Sequence, residues 1–297
     1  MIWLVGDKGM LGAELAETFL RKGLDFVGTG HEVDILDAAG LAAFAAGRDL
    51  SWIVNCAAYT KVDRAEDEVE ACRRLNAEGP ASLASLAHRI GARLLHISTD
   101  YVFDGSVDRP RREDEAVAPL GVYGRTKAEG EALVLAKAPD SVILRTAWLC
   151  GRHGPDFVHT MLGLMREKEE VGVVDDQRGC PTWTRDLSEA IATILGYASP
   201  RPGIYHFTDS GEASWREFAC EIERLGRETG LLERPCRIKP LASADYPSRA
   251  RRPRSSILSI EKIGESFGIR PPEWRKSLAD FLREMAAGPA DARRAER

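Results

Sequence analysis

The stretch Ile2-Trp3-Leu4-Val5-Gly6-Asp7-Lys8-Gly9-Met10-Leu11-Gly12 (residues 2–12) places glycines at every third position, directly after an apolar run. Glycines at this spacing permit a tight turn from a strand into a helix. They also let backbone N–H groups approach a pyrophosphate at the positive end of that helix. The turn therefore predicts a dinucleotide-binding α/β fold. The residues of the turn that we expect to contact the cofactor are Gly6, Gly9, Met10, Leu11 and Gly12.

Outward from this turn, short apolar runs alternate with amphipathic stretches through the first half of the chain. The predicted strands are Ile2–Val5, Asp25–Val27, Trp52–Asn55, Leu94–Ile97 and Val142–Arg145. The predicted helices between them include Met10–Lys22, Asn76–Ile90 and Tyr123–Lys137. Strands that are apolar throughout and separated by helices belong to parallel sheets covered on both faces. The pattern predicts a doubly wound, parallel-sheet Rossmann domain of the α/β class.

The alternation is looser in the second half of the chain. The predicted helices there are Phe157–Lys168, Thr184–Ala198, Ser214–Leu231 and Trp274–Met285, and the predicted strands are Gly172–Val174 and Ile204–Phe207. We expect an NAD(P)-binding domain over residues 1–150 with a returning segment near 180–205. A smaller α/β substrate-binding lobe is expected over 151–180 and 206–290. Residues 287–297, rich in Ala and charge, are expected to form a frayed tail.

Composition limits the function classes. The 297 residues suffice for about two domains. The 41 Lys and Arg against 46 Asp and Glu give a net charge of −5, which argues against nucleic-acid or anionic-membrane partners. The six cysteines contain no C-x-x-C motif and are expected to be reduced thiols. We see neither a secretory signal nor an apolar run of about 20 residues, so a cytoplasmic protein is expected.

The end of the second predicted strand bears on the choice of cofactor. It reads Val27-Gly28-Thr29-Gly30-His31, without the acid that usually binds the adenosine ribose of NAD. An uncharged Thr29 does not repel a 2′-phosphate, although no Arg stands there to attract one. We therefore favour NADPH and leave NADH open. Asp34 and Ile35 follow, and Asp34 is either a ribose or adenine contact or a solvated cap.

A tyrosine and a lysine stand four residues apart in Tyr123-Gly124-Arg125-Thr126-Lys127, hence on one face of the predicted helix. A nearby ammonium favours the phenolate, so this spacing suits proton donation to a developing alkoxide. Hydroxyls follow the fourth predicted strand, at the sheet edge where ligands of such folds bind. We assign the catalytic hydroxyl to Thr99, with Ser98 as the alternative. Glycine turn, hydroxyl and Tyr-x-x-x-Lys in this order form a signal that is much more specific than any one of them.

With these motifs the chain resembles the dTDP-4-dehydrorhamnose reductase family of the extended short-chain dehydrogenase/reductases. The segments that carry the resemblance are 54–66, 98–105, 119–127, 144–148, 176–182 and 250–253. The more specific of them are Thr-Asp-Tyr-Val-Phe at 99–103 and Asp-Gln-Arg-Gly-Cys-Pro-Thr at 176–182. The resemblance implies reduction of the 4-keto group of dTDP-4-dehydro-L-rhamnose to dTDP-L-rhamnose by NAD(P)H.

The resemblance also implies roles for single residues. Tyr123 would be the proton donor, Lys127 would bind the nicotinamide ribose, and Thr99 would replace the usual serine. Asp100 and Trp148 would contact the sugar. The residues implied to line the cofactor cleft are Ala58, Tyr59, Thr60 and Ile97, and Asn76 is given a structural role.

Some members of this family form a magnesium-bridged dimer through glutamates. Glu14 matches one of these ligands, but Thr184-Arg185-Asp186 puts Arg185 at the other. We therefore expect no bound metal, and a monomer or a weak homodimer. The basic cluster Arg249, Arg251, Arg252 and Arg254 is either a contact for the substrate diphosphate or a solvated run of charge.

Two alternatives stay open. One is another nucleotide-sugar reductase or epimerase. The other is a non-catalytic dinucleotide-binding subunit, because the regulatory subunit of methionine adenosyltransferase resembles the same branch.

Overall fold

The structure is a computed structural model that describes residues 1–295. Twelve strands are assigned within that range: β1 (Ile2–Val5), β2 (Phe26–Thr29), β3 (Trp52–Asn55), β4 (Arg93–Thr99), β5 (Val142–Thr146), β6 (Leu149–Cys150), β7 (Glu170–Val174), β8 (Arg178–Gly179), β9 (Thr182–Trp183), β10 (Gly203–His206), β11 (Ala213–Ser214) and β12 (Arg237–Leu241). Eleven α-helices are assigned in the same range: α1 (Met10–Arg21), α2 (Ala38–Ala45), α3 (Val62–Ala65), α4 (Val69–Arg73), α5 (Gly79–Ile90), α6 (Val122–Lys137), α7 (Phe157–Glu167), α8 (Thr184–Leu195), α9 (Trp215–Glu228), α10 (Glu261–Phe267) and α11 (Trp274–Ala295).

Six of the strands form one parallel sheet in the order β10-β5-β4-β3-β1-β2. The chain runs from β1 outward to β2 and then crosses back to place β3 on the other side of β1. The loops after β1 and β3 therefore diverge at a switch point of the topology, which is where open α/β sheets bind ligands. The predicted doubly wound parallel sheet is confirmed.

Both faces of the sheet are covered, which explains why its strands are apolar throughout. On one face, Leu4 packs with Leu15 of α1 and Ile191 of α8. On the other face, Val5 packs with Leu83 of α5 and Val134 of α6. Alternate residues of each strand point to opposite faces, so adjacent residues of one strand serve different cores.

The second half of the chain also contributes a separate hydrophobic cluster. It lies among α7, α9, α11 and β7 and includes Leu162, Phe218 and Phe281. β12 pairs in parallel with β7 as a small second sheet. Between these elements the chain returns to the main sheet, because α8 packs on α1 and β10 pairs with β5.

The boundaries of several elements differ from the sequence-based predictions. A π-helical turn at Arg74–Glu78 precedes α5, so the predicted helix Asn76–Ile90 begins as α-helix only at Gly79. The second strand lies at Phe26–Thr29 instead of Asp25–Val27. Among the elements without a prediction are the helices α2, α3, α4 and α10 and the strands β6, β8, β9, β11 and β12. These elements are all eight residues or shorter, which is too short to show a clear period.

The last helix continues beyond its predicted end at Met285 and reaches Ala295, with an interruption at Gly288, where φ is 69°. The predicted frayed tail falls partly on residues 296–297, which lie outside the described residues. All six cysteines are free thiols. No helix within residues 1–295 is long and apolar enough to cross a membrane.

Candidate active site

The glycine turn forms a cradle at the start of α1. Gly6 adopts φ +85°, and a side chain there would also meet the backbone of Ala57, at the switch point. A Cβ on Gly12 would overlap the carbonyl oxygen of Gly6. Gly9 begins α1 without a side-chain cap, and the first turn contains no acidic residue. The N–H groups of this twelve-residue helix therefore face the turn, so the residues present fit a pyrophosphate.

Met10 and Leu11, the two predicted cofactor contacts that are not glycines, have different surroundings. Leu11 is buried in the cluster beneath the sheet. Met10 is half-buried near Gly154, where an added Cβ would lie 3.6 Å from the Met10 Cβ. Of Met10 and Leu11, only Met10 thus has a side chain close to the surface.

At the end of β2, the Thr29 side chain is not directed to the cleft. Its hydroxyl accepts a hydrogen bond of 2.9 Å from the Trp3 indole, and the residue is 2% exposed. Its carbonyl accepts the N–H groups of Gly6 and Asp7 and so fixes the turn. The predicted contact between Thr29 and the cofactor would therefore have to come from its backbone.

A charged pair that the sequence analysis did not single out lies at the same strand end. Lys8 of the glycine turn forms an ion pair of 3.2 Å with Glu32, and Glu32 accepts the Gly30 N–H at 2.7 Å. These contacts lower the pKa of Glu32 to about 2. The position of Lys8 between Gly6 and Gly9 could have indicated a charged group at the site, since the glycine turn and the end of β2 lie at one sheet edge.

The other two predicted adenosine contacts have local structural roles. Asp34 is exposed and accepts the N–H of Leu36 at 2.9 Å. Ile35 is 5% exposed and packs in the core, so close to Gly79 that a Cβ there would overlap it. Asp34 thus closes a local turn, and its contact with the adenosine stays a prediction.

The loop after β3 is held by Asn76, as its predicted structural role requires. The Asn76 amide accepts the N–H of Tyr59 at 2.8 Å and donates to the carbonyl of Tyr59 at 3.1 Å. The phenol of Tyr59 donates to Glu68 at 2.6 Å. The loop from Ala58 to Thr60 thus lies fixed at the sheet edge beside the glycine turn.

Thr99, Tyr123 and Lys127, which we call the catalytic trio, come together where β4 meets α6. The Thr99 hydroxyl lies close enough to the Tyr123 phenol to lower the pKa of that phenol, and it donates to Asp100 at 2.8 Å. Lys127 donates to the Ile97 carbonyl at 2.5 Å. The alternative, Ser98, points to the other face of β4 and donates to Glu131 at 2.5 Å. Of the two hydroxyls, Thr99 is therefore the one that lies near Tyr123.

Burial controls the electrostatics of the trio. It raises the pKa of Tyr123 above its ordinary value, and the contact with Thr99 only partly offsets this effect. It lowers the pKa of Lys127 to about 8, against the opposing charge of Glu131. The Tyr-x-x-x-Lys spacing predicts that Lys127 lowers the pKa of Tyr123, but in the structure the effect of burial is larger. Tyr123 is therefore protonated near neutral pH, as a proton donor must be.

Asp100 follows Thr99 and is 3% exposed. Burial raises its pKa to about 6, although hydrogen bonds from Ser256 and Thr99 oppose the shift. Its Oδ2 atom is buried without a hydrogen-bond partner among the described residues. An unpaired buried carboxylate oxygen is costly, which makes Asp100 fit to accept a ligand hydroxyl.

Trp148 is held in a strained conformation after β5. Its φ of 47° is unusual for a bulky residue. Its ring stacks on that of Trp215 at 3.4 Å and 6°, so one face is covered by protein. A Cβ on Gly179 would lie close to both the edge of this indole and Ser256, the residue that contacts Asp100. Trp148 and Asp100 therefore flank one region.

Three of the four basic residues near 250 are paired with aspartates. Arg252 binds Asp63 at 2.8 Å, Arg249 binds Asp67, and Arg254 lies 3.7 Å from Asp108. Arg252 and Arg254 also line a cleft of about 620 Å³ together with Asp175, Asp176, Gln177 and Arg178. Arg252 and Arg254 are thus both partly neutralised by aspartates and placed at a cleft, and contact with a substrate diphosphate stays a prediction.

The residues at the family's magnesium position do not fit a metal ion. Arg185 lies 3.1 Å from the buried Glu14 and also pairs with Glu284, so its guanidinium stands between the two carboxylates. Within residues 1–295, no group of three or more His, Cys, Asp and Glu side chains is arranged to hold a metal.

Nearly the whole chain is similar to one family of known proteins. The model of the RmlD substrate binding domain family matches residues 1–287. A dTDP-4-dehydrorhamnose reductase of Streptomyces griseus is 43% identical over 286 residues, which are 94% of this chain and 92% of that protein. A probable dTDP-4,6-dihydroxy-2-methyloxan-3-one 4-ketoreductase of Streptomyces antibioticus is 39% identical over 97% of this chain and 96% of its own length.

A similar structure has also been solved. A dTDP-4-dehydrorhamnose reductase of Bacillus anthracis, in complex with NADP, superposes with a TM-score of 0.89 and 32% identity. The match covers 95% of this chain and 98% of that chain.

Proposed function

This chain belongs to the RmlD substrate binding domain family together with dTDP-4-dehydrorhamnose reductases, and we propose that it is an NAD(P)H-dependent oxidoreductase that reduces dTDP-4-dehydro-L-rhamnose to dTDP-L-rhamnose. The observation that carries the proposal is the meeting of the catalytic trio at the edge of β4, the sheet edge that also bears the glycine turn. A non-catalytic dinucleotide-binding subunit would not need that arrangement.

The chemistry requires a hydride at C4 of the sugar and a proton on the carbonyl oxygen. A bound reduced nicotinamide supplies the hydride. Tyr123 donates its phenolic proton to the oxygen as negative charge develops there, and Thr99 holds the phenol in place. The Lys127 ammonium stabilises the negative charge and binds the ribose of the cofactor.

The proposed cofactor contacts follow from the fit of the glycine cradle. N–H groups at the start of α1 bind the pyrophosphate, and the loop from Ala58 to Thr60 lines the cleft beside it. Lys8 offers a cation to a 2′-phosphate, which supports NADPH as the preferred cofactor. Glu32 neutralises Lys8 in part and can accept ribose hydroxyls, which supports some use of NADH.

We propose that the domains divide this work. Residues 1–150 with 180–205 bind the cofactor, and the lobe of 151–180 and 206–290 binds the sugar nucleotide. Asp100 accepts a sugar hydroxyl and Trp148 packs beside the ring. The dTDP group lies toward the cleft lined by Arg252 and Arg254, where guanidinium groups suit phosphate oxygens.

The proposed state is metal-independent and monomeric, or weakly dimeric, because Arg185 fills the space between Glu14 and Glu284. A cytoplasmic location is proposed because all six cysteines are free thiols, which persist in reducing compartments.

The test is to incubate the purified protein with dTDP-4-dehydro-L-rhamnose and NADPH or NADH and to follow loss of nicotinamide absorbance. Turnover with formation of dTDP-L-rhamnose is expected. The similarity to the Streptomyces antibioticus ketoreductase favours a second candidate, a reductase of another dTDP-linked keto sugar. A panel of such sugars separates the two, and no oxidation of cofactor with any of them would overturn the assignment to a reductase.

A further inference from the structure

A buried charged network lies directly behind the catalytic trio. Ser98 donates to Glu131 at 2.5 Å, and Arg145 donates to both carboxylate oxygens of Glu131 at 2.8 and 2.7 Å. His206 lies 3.4 Å from the Arg145 guanidinium. Ser98, Glu131 and Arg145 are each at most 3% exposed. We call these four residues the Glu131 network.

The network joins the two elements that carry the trio. Ser98 of β4 is paired in register with Arg145 of β5, which is paired with His206 of β10, so the three residues form one row across the sheet. Glu131 lies on α6, one turn after Lys127, and contacts Ser98 and Arg145 of this row. A buried bidentate ion pair is rigid because neither partner can return to water. It therefore fixes the distance between α6 and the end of β4.

We propose that Glu131 is a positioning residue of the reductase site, which holds α6 against β4 through Arg145 and Ser98 and provides the negative charge behind the Lys127 ammonium. This role rests on the proposed function, since it concerns the residues that bind cofactor and donate the proton.

The groups around Lys127 show why Glu131 matters for its charge. They are Cys56 after β3, Cys72 of α4, His96 of β4, and Tyr123 and Glu131 of its own helix. Burial raises the pKa values of both thiols and of Tyr123, and it lowers that of His96, so these four groups are neutral near pH 8. Glu131 opposes the effect of burial on Lys127.

The test compares two substitutions of Glu131 by measuring the NADPH dissociation constant as a function of pH. Glu131→Gln keeps the size of the side chain but removes its charge and leaves Arg145 unpaired. The loss of affinity at alkaline pH, when Lys127 deprotonates, is expected about one pH unit lower than in the wild type. Glu131→Asp keeps the charge, so its alkaline loss is expected near that of the wild type. If only the size of the side chain mattered, Glu131→Gln would change the alkaline loss of NADPH affinity less than Glu131→Asp.

Arg145→Gln is the matched control, because it leaves Glu131 charged and unpaired. Its alkaline loss of affinity is expected at higher pH than in the wild type, opposite to Glu131→Gln. Should a single variant fail to fold, the double variant Glu131→Gln/Arg145→Gln carries the test as a neutral amide pair, with its alkaline loss expected below that of the wild type. An alkaline loss at the wild-type pH in Glu131→Gln or in the double variant would overturn the proposal. A wild type that does not bind NADPH at any pH would instead overturn the proposed function.

Discussion

The two adjacent hydroxyls that end β4 have different surroundings because a strand directs successive side chains to opposite faces. Thr99 meets Tyr123 in the cleft, and Ser98 meets Glu131 in the core. The sequence alone left these two residues as alternatives, since strand periodicity does not say which face is the cleft. The structure shows that α6 covers the Ser98 side of β4, because its Glu131 accepts the Ser98 hydroxyl.

Tyr123→Phe tests the proton donor. Because the substitution removes only the hydroxyl, NADPH affinity is expected to stay within about twofold, while kcat falls by about 100-fold or more. Steady-state kinetics and a fluorescence titration of NADPH measure the two effects.

The control for this variant is Tyr197→Phe, since the Tyr197 hydroxyl bonds the carbonyl of Phe267 away from the trio. It is expected to retain wild-type kcat. A Tyr123→Phe enzyme with wild-type turnover would remove Tyr123 from proton transfer.

Lys8 and Glu32 are expected to set the choice of cofactor in opposite directions. Lys8→Gln removes the cation available to a 2′-phosphate and should weaken NADPH by about tenfold, with little change for NADH. Glu32→Gln relieves repulsion and frees Lys8, so it should strengthen NADPH relative to NADH. Dissociation constants of both cofactors for both variants measure this. Parallel losses for NADPH and NADH in Lys8→Gln would show that Lys8 does not face the 2′ position.

The strands of the main sheet could be predicted from the sequence because they are short, continuous apolar runs that are buried on both faces. Long helices such as α1 could be predicted because their buried residues recur at helical spacing. The short pieces of the second half could not, because two-residue strands such as β8 and β9 show no period. The site was predictable where motifs carry it, as with Tyr123. Lys8 and Glu131 were missed because their roles depend on which elements pack together. The π-helical turn at Arg74–Glu78 was also missed, and it places Asn76 opposite Tyr59.

The helix that carries Tyr123 and Lys127 is capped from another element. Glu66, after α3, accepts the N–H of Val122 at 2.8 Å, where the positive end of α6 favours a carboxylate. Glu66→Ala is expected to cost about 1 kcal/mol of unfolding free energy. It should also lower kcat, because the first turn of α6 holds Tyr123. Chemical denaturation and steady-state kinetics measure these effects.

Asp37→Ala is the matched control for that loss of a cap. Asp37 caps α2 by accepting the Ala39 N–H at 3.0 Å, on a helix that carries none of the trio. Its loss of stability should be similar, about 1 kcal/mol, with kcat unchanged. Equal effects of the two variants on kcat would show that capping α6 has no particular role in the reaction.

Over the whole chain, the net charge of −5 gives no general attraction for a phosphorylated ligand. Anion binding must therefore be local, at the start of α1 and at Lys8 or Arg252. Cations, too, would have to bind at a local group of carboxylates. Acidic residues are numerous, but the buried carboxylate of Glu14 is already paired with Arg185. Charge balance in this protein is thus achieved pair by pair, including where the two halves of the chain meet.

This pairing predicts that stability does not depend on a divalent cation. Arg185 joins Glu14 of α1 to Glu284 of α11, so it links the sheet domain to the last helix. The thermal midpoint of the wild type should be the same in EDTA and in magnesium. Arg185→Glu gathers three carboxylates and should lose about 3 kcal/mol in EDTA, because a buried pair is broken and like charges meet.

Magnesium should restore much of that loss in Arg185→Glu, since the new carboxylates offer the oxygen ligands the ion prefers and binding stabilises the folded state. Arg21→Glu is the control, because Arg21 pairs with Glu189 at a more exposed position of the same helix pair. It should lose little stability and show no response to magnesium. A wild-type midpoint that falls in EDTA, or an Arg185→Glu midpoint indifferent to magnesium, would show that Arg185 does not take the place of a cation.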